Sequence, residues 1–265
     1  MTITSRQNPL VARFRAAARG DDADVLLLDG AHLVADALAA GLTIRLAAVT
    51  PSASEKTDIN ELIAALSGAR VNVVTVAAPV MDAISPVRSS SSIVAIAERP
   101  AADDDGIYAG TAALVVIAVD VQDPGNIGAI VRVAEAGGAT GVLAAGGSAS
   151  PFGWKALRGS MGSALRLPIA CEADTGAALA AVRRHGCRIV ATGPRGGRSL
   201  FDATLTGPVG VLIGSEGTGL APALLAAADE QVTVPMQPPV ELLNAAVTAA
   251  LIVYEARRQR IRSEK

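Results

Sequence analysis

Aromatic residues make up only 2% of the 265-residue chain, histidine and cysteine occur twice each, and neither sign of charge dominates: 23 Lys and Arg stand against 25 Asp and Glu, a formal net charge of −2. Each scarcity closes off a class. The two cysteines, Cys171 and Cys187, are too few for a disulfide framework and fit no metal-ligand spacing. With His32 and His185 as the only imidazoles, histidine-based catalysis is disfavoured and no metal site is expected. The near-neutral balance excludes both a strongly basic nucleic-acid coat and an acidic disordered chain, so any nucleic-acid site must be a local patch. No apolar run approaches the roughly 18 residues that span a bilayer, and residues 1–19 lack the uninterrupted apolar core of a secretion signal. The expectation is a cytoplasmic protein with no membrane partner.

What is present is a chain with 51% hydrophobic and 18% charged residues, long enough for one large domain or two modest ones. Its start carries Arg6, Arg13, Arg15 and Arg19 with no acid among them, on an alanine-rich stretch at 9–18 that favours helix. From residue 24 onward short apolar runs alternate with helical periods: VLLL at 25–28, a helix over 31–40, and an apolar run at 44–49. Ile59, Leu62, Ile63 and Leu66 then recur at the spacing of one buried helix face, and VNVVTV at 71–76 reads as a strand. A last apolar run at 93–97 precedes ERPAADDDGIYAG at 98–110, where Pro, Gly and three successive aspartates break every period. These features predict an α/β domain over 1–100, a linker at 101–110 and a second domain over 111–265.

The second domain restarts with a strongly apolar strand at 113–119, a Pro/Gly loop and a helix from about Ile127 to Ala136. Further strands are expected at 142–145, 188–191, 209–213 and 231–234, with helices near 155–159, 175–185 and 220–228. Continuous apolar strands alternating with helices indicate a parallel sheet covered on both faces. A final helix over 241–260 carries Leu242, Leu243, Ala246, Val247, Ala250, Leu251 and Tyr254 at helical spacing, with Glu241, Thr248 and Glu255 on a narrow polar edge. So broad a stripe suggests burial against a second subunit.

Parallel sheets bind ligands at the carboxyl ends of their strands, and three loops there are unusual. DVQDPGNIGAIVRVAEAGG at 120–138 places Asn126 to cap a helix that carries Arg132. GPVGVLIGSEGTGL at 207–220 ends a strand in a glycine-rich loop with one acid, Glu216. VPMQPPVELLNAAVTAALIVYEARRQR at 234–260 runs from a strand end through prolines into the last helix. None is a standard nucleotide signature: GSEGTG has the wrong glycine order for a dinucleotide fingerprint, and no Lys follows to make a P-loop. Glycine loops beside an apolar strand end suit close backbone approach to a ligand such as an adenine ring.

Taken in order, DPGNIGAIVRVAEAGG, IGSEGTGL and VPMQPPVELLNAAVTAALIVYE resemble the three motifs of the SpoU/TrmH family of RNA 2′-O-ribose methyltransferases, within the SPOUT class. KALRGSMGSALRLP at 155–168 resembles the stretch that family places between its first two motifs. More weakly, SRQNPLVARFR at 5–15, LLLDGAHLVADAL at 26–38 and SPVRSSSSIVAIAE at 85–98 resemble the ribosomal-protein-like substrate-binding domain of rRNA-modifying members. The resemblance implies a carboxyl-terminal parallel-sheet domain with a deep trefoil knot, preceded by a smaller α/β domain. It implies S-adenosylmethionine bound by Gly214, Val234, Met236 and Leu243, and a homodimer joined through the second domain. It also implies a catalytic set of Asn126, Arg132, Glu216 and Asn244, in which the family assigns the arginine to assisting loss of the 2′ proton; because a guanidinium is effectively never deprotonated, a clamp on the adjacent phosphate is the preferred role of Arg132. Asn126 would fix its loop and Glu216 would anchor the arginine or the glycine loop. Asn244 would hydrogen-bond near the acceptor.

Taken singly, these residues have plainer readings: an N-cap for Asn126, a solvated loop acid for Glu216, a surface ion pair for Arg132 with Glu135, a polar helix edge for Asn244. Only their joint order lifts them. RNA contacts are expected from Arg6, Arg13, Arg88, Lys155 and Arg158, with Arg166 and the tail arginines 257, 258, 260 and 262 as further members of a phosphate track. The single Trp154 reads as a packing residue. Leu242 stands where the third motif usually has Ser, and Asp29 where the amino-terminal pattern usually has Glu. The implied substrate is ribosomal RNA; the alternatives are a tRNA 2′-O-methyltransferase, a methyltransferase acting elsewhere, and a non-catalytic RNA-binding protein that retains the fold.

Overall fold

The computed structural model describes residues 2–53, 55–101, 103 and 105–263. Two compact units emerge, Met1–Ala101 with Phe152–Arg166, and Ala102–Pro151 with Leu167–Lys265.

In the first unit the elements follow the apolar periods closely: β1 (Thr2–Ile3), α1 (Pro9–Arg19), β2 (Val25–Asp29), α2 (Ala31–Ala39), β3 (Ile44–Val49), α3 (Thr57–Gly68), β4 (Asn72–Val76), α4 (Ala78–Ile84) and β5 (Ile93–Glu98). The sheet order is β1-β4-β3-β5-β2, with β5 antiparallel to both of its neighbours and the other pairs parallel. One face buries Val11 and Phe14 of α1 and Val80, Met81 and Ile84 of α4 against Leu27, Leu46, Val94 and Ile96. At the end of β2 the buried Asp29 accepts hydrogen bonds from the hydroxyls of Ser85, at 2.7 Å, and Ser91, so that one carboxylate holds both ends of the serine-rich loop before β5.

The helix expected at 155–159 forms, as α6 (Trp154–Ser160), but it packs with this first unit, and Trp154 joins its core cluster. A contiguous reading of the chain assigns that segment to the second domain, because nothing in its local pattern tells which core its apolar face will meet.

The second unit comprises β6 (Leu114–Val119), α5 (Pro124–Gly137), β7 (Gly141–Ala145), β8 (Ile169–Glu172), α7 (Thr175–Arg184), β9 (Arg188–Thr192), β10 (Arg198–Ser199), β11 (Val209–Ile213), α8 (Pro222–Ala227), β12 (Glu230–Thr233) and α9 (Ala245–Ser263). All strand pairs are parallel, in the order β10-β12-β9-β11-β6-β7-β8. The central strands β6 and β11 are buried along their whole length, as expected of a sheet covered on both faces. Helices α5 and α9 lie side by side, and the approach is close enough that a Cβ at Gly137 would sit 2.1 Å from Val253 Cγ1.

The last helix begins at Ala245, four residues later than its periodicity suggests, because Asn244 caps it. Its buried face is Ala245, Ala246, Ala249, Ile252, Val253 and Ala256, and Glu255 is buried with them rather than on the polar edge. No helix among the described residues is long and apolar enough to cross a membrane.

Candidate active site

The chain leaves β6 toward β7 on one side of the sheet and leaves β11 toward β12 on the other. Loops that diverge in this way open a crevice at the carboxyl edge of a parallel sheet. Asp120, directly after β6, has a left-handed backbone with φ 54°, a conformation that costs a non-glycine residue about 1–3 kcal/mol. Its carboxylate accepts from the Gly147 N–H at 2.7 Å, which helps to hold the turn. Three residues on, Asp123 caps α5 by accepting from the Asn126 N–H at 2.8 Å. The expected cap, Asn126, is therefore already inside the helix, which starts at Pro124 rather than Ile127. Its side-chain amide is left to bond across the crevice.

It does so in a directed chain. The Asn244 Oδ1 accepts from the backbone N–H groups of Ala246, at 2.9 Å, and Val247, at 3.3 Å. Those backbone donors fix the amide's orientation, so Asn244 Nδ2 must face outward, and it donates to Asn126 Oδ1 at 3.0 Å. Asn126 Nδ2 in turn donates to Glu216 Oε1. Residues of the first turn of α5, the loop after β11 and the loop before α9 are thus linked, and every bond runs in the same sense, an arrangement in which each polarises the next. The carboxylate takes the amide rather than Arg132, so of the two expected roles of Glu216, anchoring the arginine or the glycine loop, the first is not formed. Arg132 is exposed and makes no hydrogen bond or ion pair with another described residue.

Beside this chain lies a shallow cleft open to solvent. Gly214, Val234, Met236 and Leu243, the four residues expected around a cofactor, all line it. Thr192, Gly193, Pro194, Ser215 and Thr248 line it as well and were not anticipated. The signal for the first three was present: TGP follows the strand at 188–191, at the same edge of the sheet as the other loops. The loop after β11 folds back on itself, with Gly219 N–H donating to Ser215 O at 3.0 Å and the Ser215 and Thr218 hydroxyls 2.8 Å apart. A Cβ on Gly214 would lie 2.4 Å from the backbone of Gly219, so no side chain fits there and the wall offers mainly backbone groups. Ile213, Val232 and Leu243 supply apolar lining. Such a cradle fits a flat nucleobase with an apolar neighbour.

The five residues expected to contact RNA, Arg6, Arg13, Arg88, Lys155 and Arg158, are all exposed on the first unit. Arg6 Nε donates to Pro79 O at 2.8 Å, and Lys155 Nζ lies 5.5 Å from the centre of the Trp154 ring. Several other arginines of the expected track are structural. Arg260 donates to Leu205 O at 3.0 Å, Gly207 O at 2.9 Å, Ala113 O at 3.2 Å and Ala112 O. Burial pulls its guanidinium below the ordinary value, yet an arginine stays protonated. Arg258 forms a two-pronged pair with Glu255, and Arg166 pairs with Asp36 at 3.7 Å. Tyr108 and His185 stack with ring centroids 3.9 Å apart, which accounts for one of the two histidines.

A parallel α/β sheet with a cleft and a polar side-chain chain at its switch point defines a ligand-binding α/β protein. Residues 113–254 match the SpoU rRNA Methylase family. Over 264 residues the chain is 32% identical to an uncharacterised tRNA/rRNA methyltransferase of Synechocystis sp., a match that covers 97% of this chain and 94% of the relative. It is 39% identical over 174 residues to a 23S rRNA (uridine(2479)-2′-O)-methyltransferase of Streptomyces viridochromogenes, covering 64% of this chain and 61% of that one. The crystal structure of the SpoU methyltransferase AviRb from the same organism, in complex with AdoMet, superposes with a TM-score of 0.87 at 30% identity, covering 96% of this chain and 99% of that one. The chain belongs to the SpoU rRNA methylase family.

Proposed function

We propose that the protein is an S-adenosylmethionine-dependent RNA 2′-O-ribose methyltransferase acting on ribosomal RNA. The observation that carries this reading is the convergence of Asn126, Glu216 and Asn244 at the rim of a cleft lined by Gly214, Val234, Met236 and Leu243. S-adenosylmethionine, when bound, supplies a methyl group already activated by the sulfonium charge. The cleft's backbone-rich wall and apolar lining would hold its adenosine portion. The protein's task is then to orient the ribose hydroxyl, and near-attack positioning can contribute about 7–11 kcal/mol to a barrier. Arg132 clamps the phosphate next to the target ribose, since a guanidinium is a poor proton acceptor but a strong two-pronged phosphate donor. Asn126 and Asn244 hold Glu216 in place beside the acceptor.

Ribosomal rather than transfer RNA is favoured by the name of the Streptomyces viridochromogenes relative and by a similarity that includes the first unit. That unit serves as the RNA-binding domain, with Arg6, Arg13, Arg88, Lys155 and Arg158 as its phosphate contacts. We further propose that the segment between β12 and α9 threads the deep trefoil knot typical of the family, an exception to the usual un-threaded topology. Support comes from the three chain segments, after β9, β11 and β12, that meet in one cleft. The protein acts as a homodimer in the cytoplasm: Val247, Leu251 and Tyr254, at helical spacing on α9, are 46%, 41% and 51% exposed, an apolar strip opposite the face already packed on α5. Leu251→Glu is expected to shift the mass in sedimentation to that of the monomer.

The deciding experiment is transfer of labelled methyl to ribosomal and transfer RNA lacking the modification. Label in alkali-resistant dinucleotides of ribosomal RNA, and none on a target whose acceptor ribose is 2′-deoxy, is the expected result. Methylation of the deoxy target would exclude the 2′ oxygen as acceptor.

A further inference from the structure

The cleft at the switch point continues past Pro194, Val234 and Met236 into an open basin that also takes in Gly196, Thr233 and the prolines 238 and 239. Of the described side chains lining the two connected hollows, only Arg195 and Glu241 are charged. They form an ion pair across the rim although both are well exposed, at 75% and 69%. An exposed pair of this kind adds about 0–1 kcal/mol to a fold, so stability alone gives little reason for it.

Its two members are nonetheless held in place. The loop bearing Arg195 is fixed on either side: Gly193 N–H donates to Val232 O at 2.9 Å, and Gly197 N–H to Thr233 Oγ1 at 3.1 Å. Glu241 lies between a turn, in which Val240 N–H donates to Gln237 O at 3.1 Å, and the capping residue Asn244. A cation and an anion therefore stand side by side at the mouth of a cleft whose described lining is otherwise uncharged.

We propose that this pair receives the amino-acid tail of S-adenosylmethionine, Arg195 taking the carboxylate and Glu241 the ammonium; this rests on the cofactor reading above. Glu216 also stands at the rim, but its carboxylate is held by Asn126, and the described lining of the two hollows offers a zwitterion no other pair of opposite charges. The two charges of the zwitterion can replace the partners within the existing pair, so that no charge is left unpaired at any stage, and the exposed pair costs little to open. The planar guanidinium also matches a carboxylate in two-pronged geometry.

The test compares two nucleosides that differ only in the tail. S-adenosylhomocysteine carries the zwitterion, and 5′-methylthioadenosine lacks it. By calorimetry, Arg195→Ala and Glu241→Ala are each expected to weaken S-adenosylhomocysteine by about threefold to tenfold, the size of one solvent-exposed charge contact, and to leave methylthioadenosine within about twofold. Arg195→Lys should keep part of the affinity, and added salt should weaken S-adenosylhomocysteine alone. Equal weakening of both nucleosides would mean that the pair merely shapes the cleft and would overturn the assignment, as would unchanged affinity for S-adenosylhomocysteine. Wild-type protein that binds neither nucleoside would instead remove the cofactor reading itself, and the tail assignment with it.

Discussion

In the first unit Arg13, Arg88, Lys155 and Arg158 reach into solvent, and none forms an ion pair with a described residue. In the second, Arg188 is shared between Glu230 and the Thr204 carbonyl, Arg258 grips Glu255, and Arg260 satisfies four carbonyls on the loops that lead into β6 and β11. These two groups of cations serve opposite ends, although each unit also holds cations of the other kind: Arg45 of the first pairs with Glu98, and Arg184 of the second is exposed. Where cations are left without partners they form a surface suited to phosphates; where they are buried against carbonyls they hold loops together at the amino ends of the central strands. Arg132, midway along α5, is exposed and makes no ion pair with another described residue, and the same holds for Arg184 and Arg257 of the same unit.

The sharpest way to test that contrast is to remove one arginine of each kind. Arg132→Ala is expected to lower methyl transfer by about 10²–10³-fold, the range for loss of one preorganised charged donor. Its melting temperature and its affinity for S-adenosylhomocysteine should be those of the wild type. A substantial loss of stability would instead put Arg132 in the same class as Arg260.

Arg260→Ala should do the reverse. It removes donors from four carbonyls in partly buried loops, and unfolding by denaturant is expected to show a loss of about 2–3 kcal/mol. Activity per folded molecule should stay near the wild-type level, because Arg260 lies at the end of the sheet away from the crevice.

A smaller effect is expected from the free cations of the first unit. Arg13→Ala and Lys155→Ala should each weaken RNA binding a few-fold and flatten the dependence of log affinity on log salt by about 0.7–0.9 for each phosphate no longer neutralised. A parallel shift with no change of slope would show that neither side chain touches phosphate.

This division could not be read from the chain. The strands of both units were legible wherever they form long apolar runs, as at 44–49, 93–97 and 209–213. Those that escaped, β1, β8 and β10, have two to four residues each and no run to speak of. Helix α4 was also missed, for it has only seven residues and a proline in its first turn. At the site, the four cleft residues were reached through the family resemblance of their motifs, which also singled out Asn126, Glu216 and Asn244, the three that the fold brings together. The bond from Asn126 to Glu216 was not, because its partners are 90 residues apart and local pattern carries no information on such pairing. The same holds for Arg258 and Arg260: a row of arginines at the end of a helix looks like a phosphate track until the carbonyls and carboxylate that occupy them are known.

The least of the expected effects concerns Glu255, the acid that periodicity assigned to an exposed edge. The hydrogen bonds from Arg258, at 2.6 and 2.8 Å, hold its carboxyl below the ordinary value of 4.5, helped by Gln259 and opposed by burial. A carboxyl with a depressed native pKa binds fewer protons folded than unfolded, so its contribution is fully present above the unfolded value and is lost as pH falls through the native one. Glu255→Gln is therefore expected to cost about 1 kcal/mol at neutral pH, with the difference from the wild type narrowing as the pH is lowered below about 4.5. Denaturant titrations of both proteins at pH 7, 5 and 3.5 would show it. A difference that stays constant across that range would mean that Glu255 stabilises α9 by packing, and that the arginine beside it, unlike Arg260, is as free to meet phosphate as those of the first unit.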